Sequence, residues 1–505
     1  MTRPTRSGRK ARHAKAAAPP RINPAAPGQI GGQYRPLTNA ECKQIYDTAL
    51  RLLSDLGMGE VPDRLRDDLV TAGATDKGDR IVLPRTLVED CIDRAPKTFP
   101  LYGRDLDRTI EVGGSRVYFG TGGAAVNTLD RDTGLYRPST LADLHDFTRL
   151  QDALDNVAWF TRCCIAGDMD SEWALDVNTA YALMANTTKP VATAFTLADH
   201  VAPLVDLFNL ASDGQFDKTP FVKAHISPVI SPMRFGEDAV DVTYECLAHN
   251  IPVSCITAAQ AGATGPATLA GFLAMSLAET LASLTMVNII KPGHPMVFSN
   301  WPLVVDLRTG SFAGGSGETA VLNAASAQLI NWLGLPSGVA SSMTDAKAID
   351  AQYGTEKALT SLAAALAGGN LIYESSGMTA SLLGASFEAF VLDDEMHSLT
   401  YRALRGIEVS DDTLGYEATV AAILRDGHFL GDAQTHAAME RDYHYPSLAD
   451  RDDPRTWAEN GALTAYDRAK ARVDQILRDH CPRYLSADQD AKIRASFDIR
   501  HPACP

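Results

Sequence analysis

LPSGVASSMTDAKAIDAQYGTEKALTSLAAALAGGNLIYESSGMTASLLG, residues 335–384, is the stretch that decides the fold. It predicts a short buried strand at 337–343, a helix of small and apolar residues at 351–366 and a second strand at 371–373. Polar residues follow both strands, with Asp345 and Lys347 after the first and Glu374 after the second. This strand–helix–strand pattern is typical of a parallel α/β barrel, whose chemistry lies at the carboxyl ends of its strands.

The same alternation extends along the chain on the amino-terminal side of this stretch. Apolar runs of strand length alternate with helix-length segments such as 140–154, 171–185 and 266–290. The predicted strands are 117–126, 157–164, 191–196, 221–226, 253–258, 296–300, 337–343 and 371–373. Alternating strands and helices predict a parallel sheet. Eight such units predict a closed (β/α)8 TIM barrel, of the α/β class, over residues 101–400.

Segments of different character flank the predicted barrel. Residues 36–100 predict an N-terminal helical layer that covers one end of the barrel, and residues 401–505 predict a C-terminal helical extension. Residues 1–35 are basic and proline-containing and lack acidic residues, a composition that predicts a disordered tail. The tail has no apolar core of the kind that a secretory signal needs.

The composition limits the classes of function. The chain has 505 residues, 45% of them hydrophobic, and a formal net charge of −16, which argues against nucleic-acid binding and favours a cytoplasmic protein. The longest apolar run, 268–290, contains Glu279 and other polar residues, so we expect a buried helix and no membrane span. The eight cysteines show no metal-ligand spacing, and we predict no protein-bound metal.

Short strings along the chain, taken in order, resemble the trimethylamine methyltransferase family, a group of corrinoid-dependent methyltransferases. The strings are LYGRD (101–105), DLRTG (306–310), SGE (316–318), TDAK (344–347), DAQYGTEK (350–357), ESSGM (374–378), RGIEV (405–409) and GHFLG (427–431). The likeness covers about residues 36–480, and the family's (β/α)8 fold agrees with the pattern of strands and helices.

The resemblance implies transfer of a methyl group to the Co(I) corrinoid of a separate carrier protein. Trimethylamine enzymes of this family carry pyrrolysine, whereas this sequence uses only the twenty ordinary residues, so it resembles a homologue that lacks pyrrolysine. That difference favours a quaternary amine donor such as glycine betaine or a related betaine. The chain has no DxHxxG string of a corrinoid carrier, so we expect the cobalamin-type cofactor on a partner. Assembly into a homo-oligomer is left open.

The candidate catalytic residue is Glu374, at the end of the eighth predicted strand. A buried carboxylate needs a partner, which is either an arginine or the cation of the substrate. Aromatic faces bind quaternary ammonium ions, although an aromatic side chain at a strand end also serves as core. The candidate substrate-binding residues are Tyr118, Phe119, Phe195, His225, Phe298, Trp301 and Tyr353. Arg104, Arg308 and Lys347 are candidates for binding a substrate carboxylate.

Two glycine-rich segments and several polar residues are candidates for corrinoid contacts. Gly122 and Gly123 could let a ligand approach the backbone, and Gly315 lies in a loop that faces a large cofactor if the resemblance holds. The polar candidates, which could equally form structural ion pairs with each other, are Asp306, Arg308, Asp345, Lys347 and Gln352.

Two other functions stay open at this point. Residues 120–125, GTGGAA, formally match a dinucleotide fingerprint and would indicate an NAD(P)-dependent oxidoreductase. That fingerprint needs a helix opening directly on the glycines, and the next predicted helix begins only near residue 140. The remaining alternative is a betaine-binding protein without turnover.

Overall fold

Eight parallel strands form a closed barrel at the centre of the molecule. The structure is a computed structural model that describes residues 23–501, apart from the side chain of Asp426. The barrel strands are β1 (Tyr118–Thr121), β2 (Phe160–Thr161), β3 (Val191–Thr193), β4 (Val222–Ile226), β5 (Val253–Thr257), β6 (Met296–Asn300), β7 (Ser337–Ala340) and β8 (Leu371–Ser376). Each strand pairs in parallel with the next, β8 pairs with β1, and a bridge between Gly120 and Trp159 joins β1 to β2. The predicted (β/α)8 barrel is confirmed.

A helix follows each barrel strand and packs outside the ring. These helices are α1 (Leu141–Asp152), α2 (Glu172–Asn186), α3 (Val201–Ala211), α4 (Glu237–Ala248), α5 (Leu269–Ile290), α6 (Gly317–Trp332), α7 (Ala351–Leu366) and α8 (Phe387–Leu404). Side-chain oxygens fix several helix starts, because they accept hydrogen bonds from unpaired backbone N–H groups of the first turn. Asp350 caps α7 in this way, and Ser386 caps α8.

Side chains of the barrel strands alternate between the lumen and the helix layer, as the two-residue period of a strand requires. Val297 and Tyr373 belong to the cluster that fills the lumen, whereas Phe298 and Ile372 pack against the helices. A hairpin of Thr98–Leu101 and Ile110–Gly113 contributes Phe99, Leu101 and Val112 to the lumen cluster. Because these side chains meet Leu371 at the start of β8, the hairpin covers the amino-terminal end of the barrel.

The N-terminal layer packs on the side of the barrel. Its helices, Asn39–Arg51, Leu52–Leu56, Asp63–Thr71 and Arg85–Arg94, pack mainly on α5. Its strands, Met58–Gly59, Thr75–Asp76 and Arg80–Val82, form one sheet with Val229–Ile230 and Arg234–Phe235 from the loop after β4. The layer therefore differs from the predicted cover of one barrel end. It explains why α5, the one helix in residues 23–501 that is apolar and long enough to cross a membrane, is buried over 89% of its apolar window.

Part of the predicted disordered tail is held against the barrel. Residues 1–22 lie outside the described residues. Residues 23–35 differ from the prediction, because Gly28 donates a backbone hydrogen bond to Val117, and Gly32 and Tyr34 donate to Leu366.

Short sheets tie together the loops at the carboxyl ends of the barrel strands. Asn127–Leu129 and Tyr136–Pro138 after β1 pair with Met378–Thr379 and Gly384–Ala385 after β8. Gln260–Ala261 after β5 pairs with Leu303–Val304 after β6. Short 3-10 turns lie at Leu106–Arg108 and Ala198–His200. These pairings brace the face of the barrel where α/β barrels carry their sites.

The C-terminal region is helical. Its elements are Asp411–Leu414, Tyr416–Ala421, Ala422–Asp426, Ala433–Arg441, Pro454–Glu459, Ala465–Asp479 and Ala487–Ser496. Helix Ala465–Asp479 packs on α8. Arg131 after β1 joins the two, because it pairs with Glu388 on α8 at 2.6 Å and with Asp474 at 2.8 Å.

Candidate active site at the barrel mouth

Glu374 lies in β8 with an unusual backbone conformation. Its φ is 60°, a value that non-glycine residues rarely adopt and that often marks a functional constraint. The pairing of β8 with β1 shifts register between Ile372 and Ser376, so Glu374 stands in a bulge. The side chain is 2% exposed, and its Oε2 has no hydrogen-bond partner among the described residues. The chain thus holds a buried, unpaired carboxyl oxygen at the carboxyl end of a barrel strand.

Gly122 explains how this carboxyl group fits against β1. A Cβ atom on Gly122 would overlap the carboxyl group and the Cα of Glu374. Gly122 is therefore required by the packing of Glu374.

The protonation state of Glu374 follows from its burial. Desolvation raises the pKa of this carboxyl group from its ordinary 4.5 to about 8, although the charge of Lys357 and the backbone of Gly123 offset part of the rise. Near pH 7 the carboxyl group is mostly neutral.

A buried ion pair lies behind Glu374, between α7 and α8. Lys357 Nζ is 2.8 Å from Asp393 Oδ2, and both side chains are almost fully buried. Tyr353 donates its hydroxyl hydrogen to Asp393 at 2.6 Å, and the backbone N–H of Gly377 donates to the same carboxylate at 2.8 Å. Tyr353 thus supports this ion pair and is not part of an aromatic wall in the lumen, which corrects the prediction for it.

Aromatic rings crowd the lumen near the mouth. The ring of Trp301 lies 5.3 Å from His225 and 5.0 Å from Tyr373, and His225 lies 5.6 Å from Tyr373. Trp301 Nε1 is buried without a hydrogen-bond partner among residues 23–501. Burial and the neighbouring charges of Lys223 and Arg162 hold the pKa of His225 well below its usual range, so its ring is neutral. This group is a set of neutral aromatic faces of the kind that attract ammonium ions.

Lys223 lies deeper in the lumen than His225. Its Nζ donates a hydrogen bond to the hydroxyl of Tyr373 at 2.7 Å, and that hydroxyl is also 2.7 Å from Ser254 Oγ. Nζ lies 4.9 Å from the ring centre of Tyr373 and 5.5 Å from that of Trp159. Burial lowers the pKa of Lys223 to about 7, because no carboxylate is paired with it in the described part of the chain.

The other predicted wall residues lie elsewhere. Phe119 faces the helix layer, where it stacks on His397 at 4.0 Å, and Phe298 is buried in the cluster between strands and helices. Tyr118 points to the opposite end of the barrel, where its hydroxyl lies beside Gly28. Phe195 packs in the same outer cluster as Phe298, in the loop after β3. Of the predicted wall residues, the structure therefore brings only Trp301 and His225 together in the lumen.

The predicted polar contacts at the mouth are mostly engaged with one another. Asp345 accepts hydrogen bonds from the backbone N–H groups of Gly314 and Gly315, which fastens the loop after β6 to the loop after β7. Lys347 Nζ donates to the backbone of Asp345 at 2.6 Å.

The remaining polar candidates make local contacts as well. Asp306 pairs with Arg308 at 2.7 Å, and the Arg308 side chain is 88% exposed. Gln352 donates to Glu356 on the same helix at 2.8 Å. Of these residues, the exposed guanidinium of Arg308 is the one that a docking partner could reach most easily.

Comparison with known proteins identifies the family of this chain. The family model described as Trimethylamine methyltransferase (MTTB) matches residues 5–505. The chain belongs to the trimethylamine methyltransferase family.

Named relatives of this methyltransferase cover nearly the whole chain. It is 27% identical to the glycine betaine methyltransferase of Desulfitobacterium hafniense strain Y51, over 93% of this chain and 97% of that protein. It is 29% identical to the trimethylamine methyltransferase MttB of Methanosarcina barkeri, over 93% of this chain and 95% of that protein. Among solved structures, a dihydropteroate synthase of Coxiella burnetii aligns with a TM-score of 0.38 and 13% identity, over 61% of this chain and 100% of that one.

The glycine-rich segment of this methyltransferase family member does not form a dinucleotide site. A Cβ atom on Gly120 would overlap the ring of Trp159, and a Cβ atom on Gly122 would overlap the side chain of Glu374. The chain continues into the strand Asn127–Leu129, and the next helix, α1, begins only at Leu141. These glycines serve packing inside the barrel, and no helix N-terminus meets them to bind a pyrophosphate.

Sequence reasoning missed three residues of the lumen: Trp159, Lys223 and Tyr373. A signal for Lys223 was present, since β4 reads VKAHI and its period of two places Lys223 on the same face as His225. Tyr373 is the third residue of a predicted strand and directly precedes Glu374.

Proposed function

We propose that this protein transfers a methyl group from a quaternary amine to the Co(I) corrinoid of a partner protein. The observation that carries the proposal is the group of neutral aromatic faces formed by Trp301, Tyr373 and His225 at the mouth of a barrel in a methyltransferase family. A fixed positive charge on nitrogen is attracted to such faces and requires no proton from the protein.

The reaction depends on how the methyl donor and the acceptor are positioned more than on acid or base groups of the protein. The methyl carbon separates from nitrogen, which keeps the bonding pair and leaves as a neutral tertiary amine, while the acceptor cobalt supplies the pair for the new bond. Holding donor and acceptor in line and excluding water supplies most of such a rate enhancement. Trp301 and Tyr373 would bind the ammonium group and orient one methyl toward the opening.

The neutral state of Glu374 suits this reaction. Positive charge leaves the nitrogen as the methyl departs, so a full carboxylate beside it would stabilise the bound cation more than the transition state. Burial keeps Glu374 mostly protonated near pH 7. A neutral carboxyl group contributes a dipole without holding the cation too tightly.

Exposed apolar side chains at the rim of the barrel suit the docking of a partner protein. Exposed aliphatic side chains come from four of the loops that follow barrel strands. They are Val126 and Leu135 after β1, Leu197 after β3, Leu307 after β6 and Leu383 after β8. Exposed apolar side chains grouped on one face of a protein are a common mark of an interaction surface, and these would contact the corrinoid carrier.

Incubation with a chemically reduced corrinoid and a set of quaternary amines tests the proposal. Loss of the Co(I) absorbance together with formation of a methylated corrinoid, in the presence of one donor, is the expected result. Donor binding by calorimetry without any methyl transfer would instead indicate a binding protein. A change of absorbance only with NAD(P) would indicate an oxidoreductase. The variant Trp301→Leu tests the aromatic site directly. It removes one aromatic face and should slow methyl transfer from the same donor.

A further inference from the structure

Residues 406–440, the arm, leave the barrel after α8 and return to it at the same place. Leu404, at the end of α8, packs in one cluster with Val117, directly before β1, so the arm begins at the amino-terminal end of the barrel. Arg402 Nε donates a hydrogen bond to the backbone oxygen of Asp442 at 2.6 Å, which fastens the returning chain to α8. The arm is therefore tied at both ends, and it leaves the barrel at the end opposite the mouth.

The arm has almost no core of its own. Its helices contain 4, 6, 5 and 9 residues. Ala422 is the one buried side chain described among residues 406–440, and the hydrophobic clusters of the described chain include no arm residue. Helices of this length are marginal in water, because few hydrogen bonds repay the cost of starting them. The arm thus needs a packing partner that its own barrel does not supply.

The arm also carries the most exposed apolar side chains of the molecule. Within residues 23–501, the six large hydrophobic side chains of highest exposure, between 72% and 89%, all belong to the arm: Ile407, Val409, Tyr416, Ile423, Leu424 and Leu430. At roughly 100–150 Å² each, they offer about 600–900 Å². The largest apolar patch on a typical monomer is about 300–600 Å², whereas each partner in a stable complex contributes about 800 Å². The area of the arm is that of an interface.

The arm and its base carry opposite charges. Residues 406–440 contain seven acidic residues and one basic residue, Arg425. A groove of about 950 Å³ between the arm and α8 is lined by four arginines, Arg402, Arg405, Arg441 and Arg451. In the described part of the chain, Asp442 is the one carboxylate that forms ion pairs with them, at 2.7 Å from Arg441 and 3.7 Å from Arg405. The groove therefore keeps positive charge that an acidic segment from outside could neutralise.

We propose that the arm binds a second copy of this chain, with the arm of each copy in the groove at the base of the other. Such a two-fold arrangement makes the same contact twice. Acidic residues of one arm would meet the arginines of the other copy, and its aliphatic side chains would meet Leu399, Met439 and Tyr443, which line the same groove. The buried apolar area supplies the affinity, and the opposite charges fix the orientation. Because each arm leaves its barrel opposite the mouth, both mouths stay accessible.

Two other occupants fit the arm less well. The proposed corrinoid carrier must reach the mouth, and the mouth has exposed apolar side chains of its own, such as Leu135 and Leu307. An anionic membrane surface attracts amphipathic helices that are rich in basic residues, whereas the arm is acidic. A second copy satisfies both the apolar area of the arm and its charge.

Sedimentation velocity of the full-length protein alone tests the proposal. The wild-type protein should have at least twice the mass of the 54.2 kDa chain. Leu424→Asp combined with Leu430→Asp places two charges on the apolar face of the arm, and the mass should fall to half of the wild-type value. Leu135→Asp is the matched control, because it adds the same charge at an exposed leucine of the mouth, and it should leave the mass unchanged.

Trypsin provides a second measurement that does not depend on mass. Arg425 is exposed in the arm of a single chain, so the interface should slow cleavage after it by about tenfold or more relative to the double leucine variant. A cooperative melting transition shows that this variant is folded. Glu417→Arg, which leaves the apolar side chains in place, should raise the dissociation constant of the assembly by about fivefold. Glu459→Arg, outside the arm, should not change it.

Several outcomes would overturn the proposal. A monomeric wild-type protein would do so, and so would an assembly whose mass is the same in the double leucine variant. Rapid cleavage after Arg425 in a wild-type assembly would place the contact on another surface. Equal dissociation constants for Glu417→Arg and Glu459→Arg would contradict the charge pairing in the groove. A monomer that sediments with vesicles of phosphatidylcholine and phosphatidylglycerol, and loses this binding in the double variant, would replace the second copy by a lipid surface.

Discussion

Replacing Glu374 with Gln isolates the energetic cost of keeping a carboxyl group inside the barrel mouth. Glu374 is 2% exposed and its Oε2 has no hydrogen-bond partner among residues 23–501. Burial raises its pKa from 4.5 to about 8. Glutamine has nearly the same shape and cannot ionise, so the comparison removes the ionisation and little else.

The sign of the effect follows from proton linkage. Below pH 4.5 the carboxyl group is protonated in the folded and the unfolded protein, and it contributes no pH dependence. Between pH 4.5 and 8 the unfolded chain releases this proton while the folded protein keeps it, so rising pH favours unfolding. One pKa unit is worth about 1.4 kcal/mol. The penalty therefore reaches about 3 kcal/mol at pH 7 and levels off near 5 kcal/mol above pH 8.

Urea unfolding followed by tryptophan fluorescence at pH 5, 7 and 9 measures this penalty. The free energy of unfolding of Glu374→Gln, relative to the wild-type protein, should rise by several kcal/mol from pH 5 to pH 9. Other buried groups, such as Glu279 and Asp394, titrate in both proteins and cancel in the difference. Glu459→Gln, at an exposed carboxylate, should show no such rise. A difference that does not change with pH would refute the reasoning, because it would mean that Glu374 ionises in the folded state as it does in water.

Three further variants test the geometry of the mouth. Trp301→Leu should weaken the binding of a quaternary amine by about tenfold or more in calorimetry, because it removes a desolvated cation–π contact of about 2 kcal/mol. Its control is Phe298→Leu, which should lower the melting temperature and leave the affinity for the amine unchanged. Gly122→Ala should lower the melting temperature, since its Cβ would overlap Glu374, and adding Glu374→Ala should restore part of the loss. Asp393→Asn should cost about 3–5 kcal/mol in urea unfolding, because it leaves a lysine buried without its counter-ion; a loss below 1 kcal/mol would contradict the buried pair.

The eight strands could be predicted because each carries its own local signal. A run of strand length enters the barrel after a proline at several places, as at Pro190 before β3 and Pro295 before β6. Parallel strands buried on both faces read as continuous apolar runs. The hairpin Thr98–Leu101 and Ile110–Gly113 was harder to predict, because its strands are short. Its apolar residues pack against residues at the amino-terminal end of the barrel, which are distant from it in the sequence.

The position of the site along each strand was easier to predict than the direction of its side chains. Glu374 and Trp301 were placed at strand ends by chain order alone. Phe119 and Phe298 have the same chemistry and the same neighbourhood in sequence, yet they face the helices. The two-residue period of a strand separates its two faces, but in a strand buried on both sides both faces are apolar, and the pattern does not show which face is the lumen.

The titratable groups described in the lumen carry little fixed charge. Burial favours the neutral form of three of them, since it raises the pKa of Glu374 to about 8, lowers that of Lys223 to about 7 and holds that of His225 well below its usual range. Near pH 7, Glu374 and His225 are therefore mostly neutral, and Lys223 is about half protonated. A cation that enters this site contacts mainly neutral dipoles and aromatic faces, which attract it without the strong hold of a carboxylate. In the proposed reaction the positive charge of the donor disappears as the methyl group departs, so the burial that lowers folding stability at Glu374 also avoids holding that charge too tightly.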